Sequence, residues 1–171
     1  MGEPIDHPGI SIWYAGFDLA TALAEAFGND GLVDTTRSRS IARVEVLLPL
    51  RLLDLSRAAP AQFKQSPHPK TPSLPGSELP LDHRIHTSTD YAWTQRWART
   101  FHAAYLSLHG LLYPSRWTAS NNVALSERAF SSHPILRVLD TRPLSDPDPA
   151  HRRALRVACE RAHLPFTPKN F

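Results

Sequence analysis

Six prolines between residues 60 and 82 (Pro60, Pro67, Pro69, Pro72, Pro75 and Pro80) constrain this chain more than any other feature. Each lacks a backbone N–H and fixes its own φ, so neither a helix nor a central strand can run through the segment. The segment is too long for a plain connection and reads as a surface excursion. It does not divide two hydrophobic patterns, so it is no domain linker. A chain of 171 residues suits one core. Residues 1–171 are therefore expected to form a single domain.

The patterned stretches around the excursion are short and of two kinds. Residues 11–17 alternate as a strand, with Trp13, Ala15 and Phe17 on one side and Ile12, Tyr14 and Gly16 on the other. Asp18 is an N-cap, and Leu19, Ala22, Leu23, Ala26 and Phe27 follow at helical spacing. Gly28 closes that helix. Glu25 falls outside its apolar stripe, toward the polar side. A second strand is predicted over 41–48, ended by Pro49, with a short extended piece over 50–55. Beyond the excursion, Ser88 or Thr89 caps a helix whose inner line is Thr94, Trp97, Ala98, Phe101, Tyr105 and Leu108, ended by Gly110. Residues 111–115 form a short strand running into Arg116 and Trp117. A polar loop around Asn121 and Asn122 precedes strands over 123–125 and 135–139. Asp148, with Pro149 at the first helical position, opens a last helix whose inner face is Leu155, Ala158, Cys159 and Ala162. Strands and helices mix without regular βαβ alternation, which makes the fold class α+β.

Composition removes several functions. No apolar run approaches the roughly 18 residues that span a membrane. The start, MGEPIDHPG, has neither the basic beginning nor the apolar centre of a secretory signal. Cys159 is the one cysteine, so no internal disulfide forms, and a cytoplasmic protein is expected. The net charge of +3 is scattered. Its densest cluster, from His151 to Arg161, reads as a solvated helix face and not as a nucleic-acid site.

Nine histidines raise the question of metal. His83 and His86 are spaced like a ligand pair, and His102 and His109 sit two turns apart on the predicted helix. No cysteine partner and no His-Glu-x-x-His joins them, so no metal site is expected. Cys159, on an apolar face, is expected to be inert. The chain has seven glycines and no phosphate-binding Gly-rich loop. Ser115 lacks the Gly-x-Ser-x-Gly setting of a hydrolase elbow. By residue type alone, Tyr14 reads as a core or rim aromatic and Glu25 as a solvated helix residue.

Three stretches, in their order and spacing, carry a resemblance. The first is Ile12-Trp13-Tyr14-Ala15 followed by Thr21-Ala22-Leu23-Ala24-Glu25. The second is the helix from Asp90-Tyr91-Ala92-Trp93 to Ala98. The third is Gly110-Leu111-Leu112-Tyr113-Pro114-Ser115-Arg116, then Asn122-Val123-Ala124-Leu125-Ser126-Glu127-Arg128-Ala129. Together they are similar to the RES domain family, named for its Arg, Glu and Ser. The resemblance implies an ADP-ribosyltransferase-like fold, a mixed split β-sheet with flanking helices around an NAD-binding cleft. It implies a toxin of a toxin–antitoxin system that consumes NAD by hydrolysis, phosphorolysis or ADP-ribosyl transfer. The implied partner is an Xre-like helix-turn-helix antitoxin.

The same resemblance implies roles for particular residues. Breaking the nicotinamide–ribose bond passes through an oxocarbenium-like state. Glu25 would bind ribose hydroxyls and stabilise the developing positive charge, Ser115 would orient the substrate, and Tyr14 would pack against nicotinamide. The family's Arg precedes the Tyr strand. Residues 1–9 contain none, so the chain is expected to lack the family's N-terminal segment. Arg37, Arg39 and Arg43 are candidates to replace that Arg. The alternative reading is an inactive RES-like module that only binds the antitoxin.

Overall fold

The computed structural model describes residues 12–56, 90–130 and 134–167. The expected strands around Tyr14 and Tyr113 form: β1 is Ile12–Gly16 and β5 is Gly110–Pro114. They join β4 (Leu52–Asp54) and β6 (Asn121–Ser126) in a four-stranded sheet of order β1-β6-β5-β4. β6 runs antiparallel to both neighbours, and β4 runs parallel to β5, so the sheet is mixed. The remaining strands stand apart as pairs. β3 (Ser40–Val46) is antiparallel to β7 (Leu136–Pro143), and β2 (Val33–Asp34) is parallel to β8 (Phe166–Thr167). With helices α1 (Leu19–Phe27), α2 (Tyr91–Ala104) and α3 (Pro149–Arg161), this is an α+β fold with a mixed, split sheet. The excursion at 60–82 and the caps proposed at Ser88 and Thr89 lie outside the described residues.

Helix α1 begins where the sequence says. The Asp18 side chain accepts from the Thr21 N–H at 2.9 Å, satisfying one of the helix's orphan donors. Its buried face, however, is Ala20, Thr21, Leu23, Ala24 and Phe27, while Ala26 is exposed. The predicted stripe was therefore rotated. Packing decides this: one side of α1 meets α3, and another meets the loop after β5. The α3 side is a core of Leu23, Ala24, Phe27, Val33, Leu155 and Cys159. Helix α3 starts at Asp148 with Pro149 and buries Leu155, Ala158 and Cys159, as its spacing predicts.

Two boundaries differ from expectation. Helix α2 stops at Ala104, and Gly110 opens β5 instead of capping the helix. A Cβ at Gly110 would lie 2.0 Å from the Ala124 carbonyl oxygen, so glycine is required by close approach of two strands. His102 and His109 consequently do not share a helix. The second difference is Asn121 and Asn122, which are no loop: they open β6, opposite Pro114 and Tyr113.

Candidate functional site

Paired residues of neighbouring strands present their side chains to one face. Ile12, Tyr14 and Gly16 on β1 stand beside Ser126, Ala124 and Asn122 on β6. Ala124 and Asn122 stand in turn beside Leu111 and Tyr113 on β5. One face of the sheet therefore carries Tyr14, Tyr113 and Asn122. The other is apolar, with Trp13, Val123 and Leu125 packed on Ala129 and Ile135. Helix α2 covers part of the Tyr14 face, where Trp97 and Phe101 pack against Leu53, Leu55, Leu111 and Tyr113. Beside them lies a cavity of about 370 Å³, with Tyr14, Tyr113 and Ala124 on the sheet side, Gln95 and Phe101 on the helix side, and Glu25 on α1.

Glu25 reaches this cavity because α1 is fastened to the loop after β5. Thr21, one helical turn before Glu25, is fully buried. Its hydroxyl donates to Asp18 at 3.1 Å and meets the Thr118 hydroxyl at 2.8 Å. With the Thr21 proton committed to Asp18, Thr118 is the donor between the two threonines. The i, i+4 relation then aims Glu25 at the same loop. Its Oε1 accepts from the Ser115 hydroxyl at 2.7 Å and from Asn122 Nδ2 at 2.8 Å.

Ser115 is 8% exposed and absent from the cavity wall. Its Oγ accepts from the Trp117 and Thr118 N–H groups at 3.1 and 3.2 Å, so its own proton goes to Glu25. A hydroxyl used in this way orients the carboxylate. Tyr14 is exposed at the rim of the cavity, and Tyr113 is half-buried within it. Burial, then the Glu25 charge, then Tyr14 hold the Tyr113 phenol above its ordinary value. It therefore stays a neutral O–H donor.

The structure brings Glu25, Ser115 and Tyr14 to one place and directs the candidate arginines elsewhere. Arg37 pairs with Asp30 at 3.1 Å and Asp34 at 3.6 Å. Arg39 stands 4.9 Å over the Phe27 ring, and Arg43 sits opposite Asp140 in the β3–β7 ladder. Among the described residues, the arginines on the cavity wall are Arg116 and Arg128. Arg116 donates to Asn29 Oδ1 at 2.8 Å and stacks 4.8 Å over the Trp117 ring. Arg128 donates to the His102 carbonyl. Burial, then the Arg128 charge, lower the His102 pKa, leaving a neutral imidazole near neutral pH. His109 accepts the Arg51 N–H through Nδ1 at 3.1 Å. His83 and His86 lie outside the described residues.

Sequence reasoning missed Asn122, Tyr113 and Arg116 as parts of this site. Asn122 was legible in part. Counting by two from Ala124 puts it on the Tyr14 face once β6 is extended backwards.

A RES domain family model matches residues 5–145. Among solved structures, the chain is similar to one from the crystal structure of the M. tuberculosis MbcT–MbcA toxin–antitoxin complex. The TM-score is 0.58 and the identity 13%, over 87% of this chain and 73% of that one. A search of curated proteins finds no match. At that identity the structural likeness speaks to the fold alone, and the family match covers most of the sequence. The chain belongs to the RES domain family.

Proposed function

We propose that this chain is the NAD-consuming toxin domain of a toxin–antitoxin pair, with Glu25 promoting cleavage of the nicotinamide–ribose bond. One observation carries the reading. Glu25 stands at the wall of a small-molecule-sized cavity with Oε1 held by two donors, and Oε2 takes no hydrogen bond among the described residues. An oxygen left free in this way can accept from a ribose hydroxyl and face the positive charge of an oxocarbenium-like state. Tyr14 and Tyr113 offer aromatic faces beside it for nicotinamide.

The cavity lies near the lower end of the roughly 300–1,000 Å³ that small-molecule sites occupy. It would enclose the reacting half of a dinucleotide and leave the rest toward its mouth. Arg116, on the wall, is the cation closest in sequence to the Ser115 hook and suits a phosphate. Depending on the acceptor, the enzyme would be an NAD glycohydrolase, phosphorylase or ADP-ribosyltransferase.

The test is nicotinamide release from NAD by the complete gene product, with and without inorganic phosphate. Release is expected, and Glu25→Gln should lower it on the order of 10²–10³-fold. No release, or full release by Glu25→Gln, refutes the reading. The MbcT neighbour is described as part of a toxin–antitoxin complex, which supports an antitoxin partner here, of the Xre-like type expected for this family.

The alternative, an inactive module that only binds the antitoxin, is favoured by one feature. Arg37, a candidate to replace the family's Arg, is occupied by two aspartates. Stable co-purification with an Xre-like antitoxin encoded beside it, without loss of NAD, would establish that reading.

A further inference from the structure

Asn122 is 1% exposed and does not line the cavity. Its Nδ2 donates to Glu25, while its Oδ1 has no hydrogen-bond partner among the described residues. Burying an amide with its carbonyl unmet is unfavourable, and an apolar residue of similar size would avoid that cost. Packing therefore does not ask for an amide at this point of β6. The bond to Glu25 does.

Geometry says what that bond adds. Ser115 alone would hold one carboxylate oxygen at a fixed distance and leave the plane of the carboxylate free to turn. A second donor on the same oxygen, from a different strand, fixes the plane. Oε2 is then the oxygen presented to the cavity. The donor's chemistry also matters. A cation behind Glu25 would cancel the charge that opposes an oxocarbenium-like state, whereas a neutral amide holds the carboxylate and leaves it negative. No ion pair to Glu25 occurs among the described residues.

We infer that Asn122 is a positioning residue: with Ser115 it pins Oε1 of Glu25 and so aims Oε2 at the ligand. Its kinetic consequences rest on the proposed NAD reading; its geometric consequence does not.

Two variants test it. Asn122→Leu removes the donor at similar volume. Asn122→Asp keeps the shape, repels Glu25 when ionised, and donates an O–H when protonated. For the complete gene product with NAD, Asn122→Leu should lower kcat about 10–100-fold with KM within about twofold, since positioning acts on the chemical step. Asn122→Asp should regain activity relative to wild type as pH falls, a rescue that a merely structural asparagine would not give. Of the other groups at the cavity, the Ser115 hydroxyl does not titrate, and Tyr14 and Tyr113 have raised pKa values and stay neutral; His102, whose pKa burial lowers, protonates as pH falls in wild type and variant alike, so the comparison with wild type removes it.

Crystal structures of both variants are read without any ligand. Expected is a Glu25 that leaves its single orientation in Asn122→Leu and turns from the ionised Asp in Asn122→Asp. A Glu25 unmoved in both overturns the inference, whatever NAD does. Absence of NAD cleavage by wild type, with Glu25 displaced in the variants, sinks the NAD reading and leaves the positioning role standing.

Discussion

The bond between Ser115 and Glu25 joins residues 90 positions apart, and a double-mutant cycle can measure it. Ser115→Ala removes the donor to Glu25 and the acceptor of two backbone N–H groups, in a side chain only 8% exposed. A hydrogen bond to an ionised group contributes about 1.5–3 kcal/mol, and an orphaned buried donor costs about 1–3. Glu25 itself is exposed, so solvent screening reduces its share of the bond to about 1–2 kcal/mol. Ser115→Ala should then destabilise the protein by roughly 2–4 kcal/mol, or about 5–15 °C in Tm at this chain length. Glu25→Ala should cost about 1–2 kcal/mol, since it frees both donors. In the double variant the shared bond is counted once. Urea unfolding of the four proteins should therefore show a coupling of about 1–2 kcal/mol between the sites. Additivity within about 0.5 kcal/mol would refute the bond as drawn and leave Ser115 a loop residue.

Other outcomes follow from the same structure. Thr21→Val is isosteric but cuts the link to Thr118; it should lower stability by about 1–2 kcal/mol and lower the proposed NAD cleavage more than Ala22→Ser, which sits on another face. The Asp18 carboxyl is held below its ordinary value, first by the Thr21 N–H. Its contribution is therefore complete above the unfolded value and is lost as pH falls through the folded one. Unfolding curves of wild type and Asp18→Asn should differ by a constant amount above about pH 5 and converge toward pH 2. Burial pushes the Cys159 thiol up to about 11; alkylation at pH 8 should be slow in the folded protein and rapid in denaturant. Trp97→Ala, at a position 2% exposed, should cost about 3–5 kcal/mol and loosen the helical wall of the cavity.

Local chemistry in the sequence determined much of this protein. Asp18 and Asp148 with Pro149 mark two helix starts because a capping side chain acts within three residues, so the signal is complete in the local sequence. The alternation at residues 12–16 sorts Tyr14 from Trp13 because successive side chains on a strand point to opposite faces. What lay beyond reach was everything set by pairing across the chain. Gly110 reads as a helix stop until β5 meets β6 and leaves no room for a Cβ beside Ala124. Asn122 reads as a polar loop until its strand places it behind Glu25. Glu25 reads as an unattached solvated helix residue; it stays exposed, yet the packing of α1 on the loop after β5 binds its Oε1 to Ser115 and Asn122. The family resemblance pointed to Glu25 and Ser115, but their hydrogen bond follows from tertiary packing alone. Periodicity records which side of an element is apolar, whereas the partner of a polar side chain is decided by which elements the core brings together.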